Sequence, residues 1–194
     1  FILVYPIIWL FSKLPMKILY GISNILFLFV FYVLKYRRKV VLDNLTLAFP
    51  EKSFDEKKRI SKKFFKHFTD IFVETIKAIS ISKKEILKRY QYKNPEIINQ
   101  FHKEERNIVI TSSHLGNWEW FASFPLFFNC NAKGAYTSLG NKYFDKIVKD
   151  SRERFGFICY ESSKTVKAFY KDFKTKTKSV YFLISDQSPQ LEHT

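Results

Sequence analysis

The apolar positions at the N-terminus form two segments that are nearly free of charge. Residues 18–34 contain no charged side chain, and residues 1–11 form a second apolar segment that Ser12 to Pro15 separates from the first. The longer segment has 17 residues, which is at the lower edge of the length that crosses a bilayer. We therefore predict a membrane anchor at residues 1–35 that either spans the bilayer or lies at its surface.

A second pattern, with apolar residues every three or four positions, follows Ser53 and predicts a long amphipathic helix. Ser53 and Glu56 have the spacing of a capping box, which marks the start of this helix. We assign its aromatic stripe to core packing rather than to a lipid groove, while the lysines of the outer face can rest on a membrane surface. The stripe consists of Ile60, Phe64, Phe68, Ile71 or Phe72, Thr75 or Ile76, and Ile79, and the lysines are Lys58, Lys62, Lys63 and Lys66.

The pattern changes again from Asn107 onward, where short β-type runs alternate with helical segments. This alternation predicts one α/β domain over residues 36–194, with a mainly parallel sheet flanked by helices. A short helix is also expected from Glu96 to His102, after Pro95. The strands are predicted near 107–113, 132–137, 156–160 and 179–185, and the helices near 117–128, 141–155 and 163–175.

Charge and cysteine content narrow the classes of function. The chain carries a net charge of +15, of which +13 lies on residues 35–194, so its surface favours anionic lipids or acidic proteins. The sequence contains no zinc spacing, RNA-binding motif or helix-turn-helix, so we do not expect a nucleic acid partner. Cys130 and Cys159 are too few for a disulfide framework or a metal site, and we expect no metal. The basic cluster at residues 36–39 predicts a cytoplasmic location for the rest of the chain after it.

His114 is the residue with the clearest chemical potential. It follows an apolar strand, and Glu119 comes five residues later, beyond a break at Gly116 and Asn117. Residues five apart on one continuous helix point about 140° from each other, so the two side chains converge only if the backbone turns between them. A histidine can then take a proton from a hydroxyl while a carboxylate orients its ring. Asp186 also follows an apolar strand and can reach the same crevice.

Several motifs follow one another along the chain in a fixed order. They are the anchor, the run from Arg38 to Pro50, Glu74, the segment from His114 to Glu119, the segment from Arg152 to Gly156, and Asp186 with Gln187. Together they resemble the late acyltransferases of lipid A biosynthesis. The similarity covers essentially the whole chain, and the His-x-x-x-x-Asp/Glu motif of the glycerolipid acyltransferases is part of it. The resemblance implies a glycerolipid-acyltransferase-like fold with an N-terminal anchor.

The resemblance also implies a reaction and a set of site residues. It implies transfer of a fatty acyl group from acyl carrier protein to a hydroxyl of a Kdo-bearing lipid A precursor, at the inner face of the inner membrane and without a cofactor. His114 would be the general base that Glu119 orients. Arg154 would bind an oxyanion, a phosphate or a carboxylate in preference to Arg152, which would be a substrate-binding residue. The remaining expected site residues are Asp186, as a supporting or substrate-binding acid, and Asn117 and Gln187, as substrate-binding residues.

Two alternative functions remain open from the sequence. The same fold can acylate another acceptor, such as a different glycolipid or an aminoacyl lipid, or the chain can be a membrane-anchored binding protein without catalysis. The chain begins without Met and stops where the family pattern continues, so we expect a C-terminal part beyond these 194 residues.

Overall fold

The computed structural model describes residues 3–104 and 106–187. Its internal contacts divide the chain into two compact units, the first ending at Lys77 and the second beginning at Ala78. The predicted functional boundary between an anchor at 1–35 and an acyltransferase domain at 36–194 stays a prediction. The first unit contains α1 (Val4–Lys13), α2 (Met16–Leu28), a π-helical turn (Phe29–Val33), α3 (Arg38–Ala48) and α4 (Phe54–Ala78), whose last residue lies in the second unit.

The predicted apolar anchor is helical. α2 and the π-helical turn together form an 18-residue helix, Met16–Val33, with a mean hydropathy of 1.8. By length and composition, this helix is long and apolar enough to cross a membrane. Much of its surface is exposed, including Ile25, Leu28 and Val33.

One face of α2 is polar and packs against α4. The hydroxyl of Ser23 is fully buried and donates a hydrogen bond to Asp70 Oδ1 at 2.6 Å. The Tyr20 hydroxyl donates to Glu74 Oε1, also at 2.6 Å, and Lys66 forms an ion pair with Asp70. These contacts make a polar seam between the two helices. The seam satisfies groups that would each cost several kcal/mol, about 2–7, if left unpaired in an apolar environment.

The structure confirms the predicted start of α4 and corrects its buried face. The Ser53 backbone N–H donates to Glu56 Oε2, and the Glu56 N–H donates to Ser53 Oγ, as a capping box requires. The prediction that the aromatic stripe packs in the core is wrong, because Phe64, Phe68 and Phe72 are 47%, 45% and 54% exposed. The row that packs inward consists of Lys57, Ser61, Phe65, Thr69 and Val73.

The sequence pattern selected the wrong face of α4 because two neighbouring rows of this helix have the same spacing. Both rows repeat every four residues, so periodicity alone does not distinguish them. The inward row carries Ser61 and Thr69, whose small side chains let another helix approach closely. Its apolar members are Phe65 and Val73, and Phe65 packs against Phe31, with ring centroids 5.4 Å apart.

The second unit is an α/β structure around a four-stranded sheet, as the sequence predicted. The strand order is β1-β4-β2-β3, and all three strand pairs are parallel. The segment predicted as a helix at 117–128 is a 3-10 helix instead, and Pro125 lies inside it. The elements are α5 (Lys83–Arg89), α6 (Pro95–Lys103), β1 (Ile108–Ser112), the 3-10 helix (Trp118–Leu126), β2 (Asn131–Tyr136), α7 (Lys142–Glu153), β3 (Ile158–Glu161), α8 (Ser162–Lys174) and β4 (Ser179–Ile184).

The core of this unit lies on one face of the sheet and is largely aromatic. Phe124 and Phe128 of the 3-10 region stack at 4.4 Å, and Phe182 of β4 packs edge-on to Phe124 at 4.8 Å. Gly134 of β2 has a specific reason to lack a side chain, because a Cβ there would lie 2.8 Å from Phe157 Cζ. The glycine therefore allows the Phe157 ring to lie directly on the strand.

The opposite face of the sheet contains a buried ion pair. Lys133 Nζ of β2 donates to Asp172 Oδ2 of α8 at 2.6 Å, and both residues are buried. The Tyr181 hydroxyl on β4 donates to the same oxygen at 3.1 Å. This pair ties α8 to the two central strands.

Replacing Asp172 with Asn should destabilise the second unit by roughly 3–5 kcal/mol, because the Lys133 ammonium would stay buried without its counter-charge. Replacing both residues, as in Lys133→Met with Asp172→Leu, should recover most of that loss. The free energy of unfolding in urea measures both effects. The matched control is Asp150→Asn, which breaks an exposed pair with Lys146 and should cost less than about 1 kcal/mol. Equal effects at the two positions would contradict the assignment.

Candidate active site

The candidate site lies at the carboxyl ends of β1 and β4. These strands are adjacent and parallel, and the Ser185 N–H donates to Ser112 O at 3.0 Å just beyond the pairing. The chain turns away from the sheet after each of these strands, and Gly116, which follows β1, adopts the left-handed conformation with φ +64°. Glycine reaches this conformation without strain. The predicted change of direction between His114 and Glu119 is therefore present.

His114 is held by Asp186 through two hydrogen bonds. Its Nδ1 lies 2.8 Å from Asp186 Oδ1, and its backbone N–H donates to Oδ2 at 2.9 Å. The hydrogen bond from the His114 backbone N–H is the main reason why the pKa of Asp186 lies below its ordinary value. Desolvation opposes this shift, and the hydrogen bond with the His114 ring lowers the pKa further. An ionised carboxylate only accepts hydrogen bonds, so Nδ1 carries the proton and Nε2 is the proton acceptor.

Glu119 forms a bidentate ion pair with Arg152. Arg152 Nε donates to Oε2 at 2.7 Å, and Nη2 donates to Oε1 at 2.5 Å. The expected hydrogen bond between His114 and Glu119 is therefore corrected: among the described residues, the ring is bonded to Asp186 and the carboxylate to Arg152. The reason is that strand pairing brings Asp186 to His114, while α7 brings Arg152 to Glu119.

The environment of this ion pair keeps the guanidinium charged. Burial favours the neutral form of Arg152, but the hydrogen bonds and the charge of Glu119 outweigh it and raise its pKa above the ordinary value. A bidentate arginine–carboxylate pair also fixes the orientation of the guanidinium plane. Arg152 therefore presents a charged guanidinium of fixed orientation to the cavity that His114 also lines.

Arg154, which the sequence favoured over Arg152, lies elsewhere. Its Nη1 donates to Ile79 O at 3.2 Å and lies 3.5 Å from Ala78 O, at the carboxyl end of α4. Its guanidinium is also 5.4 Å from the centre of the Phe155 ring. The structure thus places Arg152, in the last turn of α7, in the cavity lining, whereas Arg154 lies just past the end of the helix and is not part of that lining.

A cavity of about 430 Å³ opens beside these groups. Its remaining wall is largely apolar and includes Phe121, Ala122, Phe157 and Phe182, which continue into the core. The cavity thus joins a polar rim to an apolar interior. The polar rim consists of His114, Glu119, Thr137, Arg152, Ser162 and Gln187.

Of the two other expected substrate-binding residues, one lines this cavity and one does not. Gln187 lines it, whereas Asn117 is half-buried at the start of the 3-10 helix and is not part of the lining. Sequence reasoning missed Thr137 and Ser162, which follow the carboxyl ends of β2 and β3. Their positions after predicted strands were the available signal, because ligands bind at this edge of open parallel sheets.

The donor set in the described residues does not form a metal centre. Within residues 3–104 and 106–187, no group of three or more His, Cys, Asp or Glu side chains could hold a metal ion. His114 Nδ1 and the carboxylate oxygens of Asp186 and Glu119 are instead used in the hydrogen bonds described above.

The fold and cavity define an α/β protein with an open cavity at the carboxyl edge of a parallel sheet. Residues 1–192 match the family described as bacterial lipid A biosynthesis acyltransferase, so the chain belongs to that family. A search of curated protein sequences found no match. The expected relation to lipid A acyltransferases is thereby confirmed, and the family makes this protein an acyltransferase in lipid A biosynthesis in general terms.

The two thiols of the second unit should react slowly with alkylating reagents. Burial raises the pKa of Cys130 and of Cys159, each to about 11. At about pH 8, the thiolate fraction of each cysteine is then about 100-fold lower than that of an ordinary thiol. The alkylation rate falls with it, because only the thiolate is the nucleophile. Iodoacetamide labelling followed by mass spectrometry should show this slow rate in the folded protein and a fast rate in denaturant. Equal rates in both states would contradict it.

Proposed function

We propose that this protein transfers a fatty acyl group from the thioester of acyl carrier protein to a hydroxyl on a Kdo-bearing lipid A precursor. The acceptor hydroxyl belongs to a 3-hydroxyacyl chain of that lipid. The observation that carries the proposal is the His114–Asp186 hydrogen bond at the rim of a cavity with an apolar wall. A proton acceptor beside an apolar cavity suits a reaction between a hydroxyl and an acyl chain.

The reaction needs one base and one acid, and His114 supplies both. Nε2 takes the proton of the acceptor hydroxyl as its oxygen attacks the thioester carbonyl carbon. The new C–O bond gives a tetrahedral oxyanion, and its collapse breaks the C–S bond. The departing thiolate of the carrier receives the proton from the imidazolium. Asp186 stabilises that imidazolium, because its carboxylate lies on Nδ1 at 2.8 Å and stays ionised.

Arg152 supplies positive charge for the anionic groups of this reaction. Two of its donors are used by Glu119, and a guanidinium has five. We assign the others to the oxyanion or to a phosphate of the acceptor. Glu119 is thus a positioning residue that holds Arg152, rather than the group that orients His114.

The donor and the acceptor agree with the charge and apolar surface of the chain. Acyl carrier protein is acidic, so the positive surface of the chain speeds their encounter. The acceptor cannot leave the bilayer easily, because each buried methylene contributes about 0.8 kcal/mol. An anchor of the length of Met16–Val33 keeps the catalytic unit at the inner membrane, and the basic residues after it favour the cytoplasmic side for that unit.

Loss of the base should abolish transfer while the fold remains. We expect His114→Ala to lower kcat by about 100-fold or more, and Asp186→Asn to have a similar effect, because Asn can favour the wrong tautomer. The assay incubates the full-length protein with acyl carrier protein donor and a tetra-acylated Kdo-lipid precursor, and reads the product mass. The control is His67→Ala, at an exposed position on α4.

The outcomes separate the mechanism from the substrate. If His114→Ala acylates as well as wild type, the general-base role is wrong. If wild type itself adds no acyl group, the donor or acceptor assignment is wrong.

The Glu119–Arg152 pair should act as one unit. Glu119→Gln and Arg152→Gln should each lower kcat/KM by about 10- to 100-fold, and the double variant should lose little more than either single variant. Arg154→Gln should stay within about twofold of wild type, since its side chain binds carbonyls outside the cavity. A larger loss for Arg154→Gln than for Arg152→Gln would restore the preference that the sequence suggested.

A further inference from the structure

A basic groove follows the apolar helix of the first unit. It has a volume of about 470 Å³ and is lined by Lys35, Arg38 and Lys39 together with residues of α3 and the first residue of α4. Among the described residues that line it, Asp43 is the single acid. The groove therefore has a positive charge that its own lining does not neutralise.

The local backbone fixes the bases of this groove. Lys35 and Arg37 both adopt the left-handed conformation, with φ of 50° and 47°, which turns the chain sharply between the π-helical turn and α3. Arg38 is half-buried, and its guanidinium lies 4.4 Å from the centre of the Phe31 ring. Arg38 Nη1 also donates to Phe31 O at 3.4 Å. Part of the entropy of ordering an arginine is therefore lost before any ligand binds.

The groove also has an apolar wall. Leu42 and Phe54 line it beside the bases, and Phe54 is 67% exposed. A free anion makes no use of such a wall, whereas a lipid has a charged head and an apolar chain. The N-terminus of α3, at Arg38, adds the partial positive charge of a helix start.

The position of the groove along the chain fits the surface of a bilayer. The apolar helix ends at Val33, and Lys35 follows two residues later. Basic side chains directly after an apolar helix lie at the level of the lipid head groups. We propose that this groove binds the phosphate of an anionic glycerophospholipid, with Arg38 and the two lysines on the phosphate and the acyl chain against Leu42 and Phe54. This site is independent of acyl transfer.

The first test compares lipid binding by two variants with the same loss of charge. The full-length protein in a neutral detergent is titrated with dioctanoyl-phosphatidylglycerol and followed by calorimetry. Replacing all three groove bases with Gln should weaken binding by about 100-fold, since each base near an anionic lipid contributes about fivefold in affinity. The control replaces three bases of α8 in the second unit and should bind as wild type. Its residues are Lys167, Lys171 and Lys174.

A second variant separates loss of the site from loss of the fold. Asp43→Asn removes the acid of the groove and should tighten binding of the same lipid by about two- to fivefold, because like-charge repulsion with the phosphate disappears. A gain of affinity does not result from misfolding.

Further probes distinguish the sources of the phosphate. Dioctanoyl-phosphatidylcholine and inorganic phosphate should each bind more weakly than phosphatidylglycerol by about tenfold or more. Equal binding of inorganic phosphate would make this a free anion site and overturn the proposal. It would also be overturned by binding of a phosphorylated lipid A precursor without binding of phosphatidylglycerol, or by unchanged affinity in the triple groove variant.

Discussion

The hydrogen bonds between His114 and Asp186 are the interaction on which the candidate site depends. They connect residues 72 positions apart along the chain. They can form because β1 and β4 are adjacent and parallel, so that both strands end at the same edge of the sheet. The same carboxylate holds the backbone and the ring of the histidine. Ring orientation, tautomer and the position of the loop are therefore set together rather than one by one.

Much of the second unit follows from sequence pattern, because its strands are short apolar runs between helices. All four strands and the helices α7 and α8 lie close to their predicted bounds. The carboxylate that binds the His114 ring could not be predicted from sequence pattern in the same way. A five-residue spacing shows that His114 and Glu119 are close along the chain, but strand order decides which carboxylate reaches the ring. Strand order depends on packing across the whole sheet, which local periodicity does not contain.

The arginines and α4 show the same limit at shorter range. Arg152 and Arg154 are two residues apart on or beside α7, so they point in different directions, and only the placement of α7 decides which one meets Glu119. On α4, the exposed and the buried rows are both regular. Ser61 and Thr69 mark the buried row, yet a rule based on hydrophobicity alone selects the phenylalanines. Small polar residues opposite another helix are the informative signal in such a unit.

The polar seam between α2 and α4 also constrains the order in which the chain can be assembled. Ser23 and Tyr20 are synthesised roughly fifty residues before the acids Asp70 and Glu74 that accept their hydrogen bonds. Until α4 has emerged from the ribosome, the hydroxyl-bearing side of α2 lacks its final acceptors. The final packing of α2 therefore waits for α4, so the two helices complete their fold as one unit during synthesis.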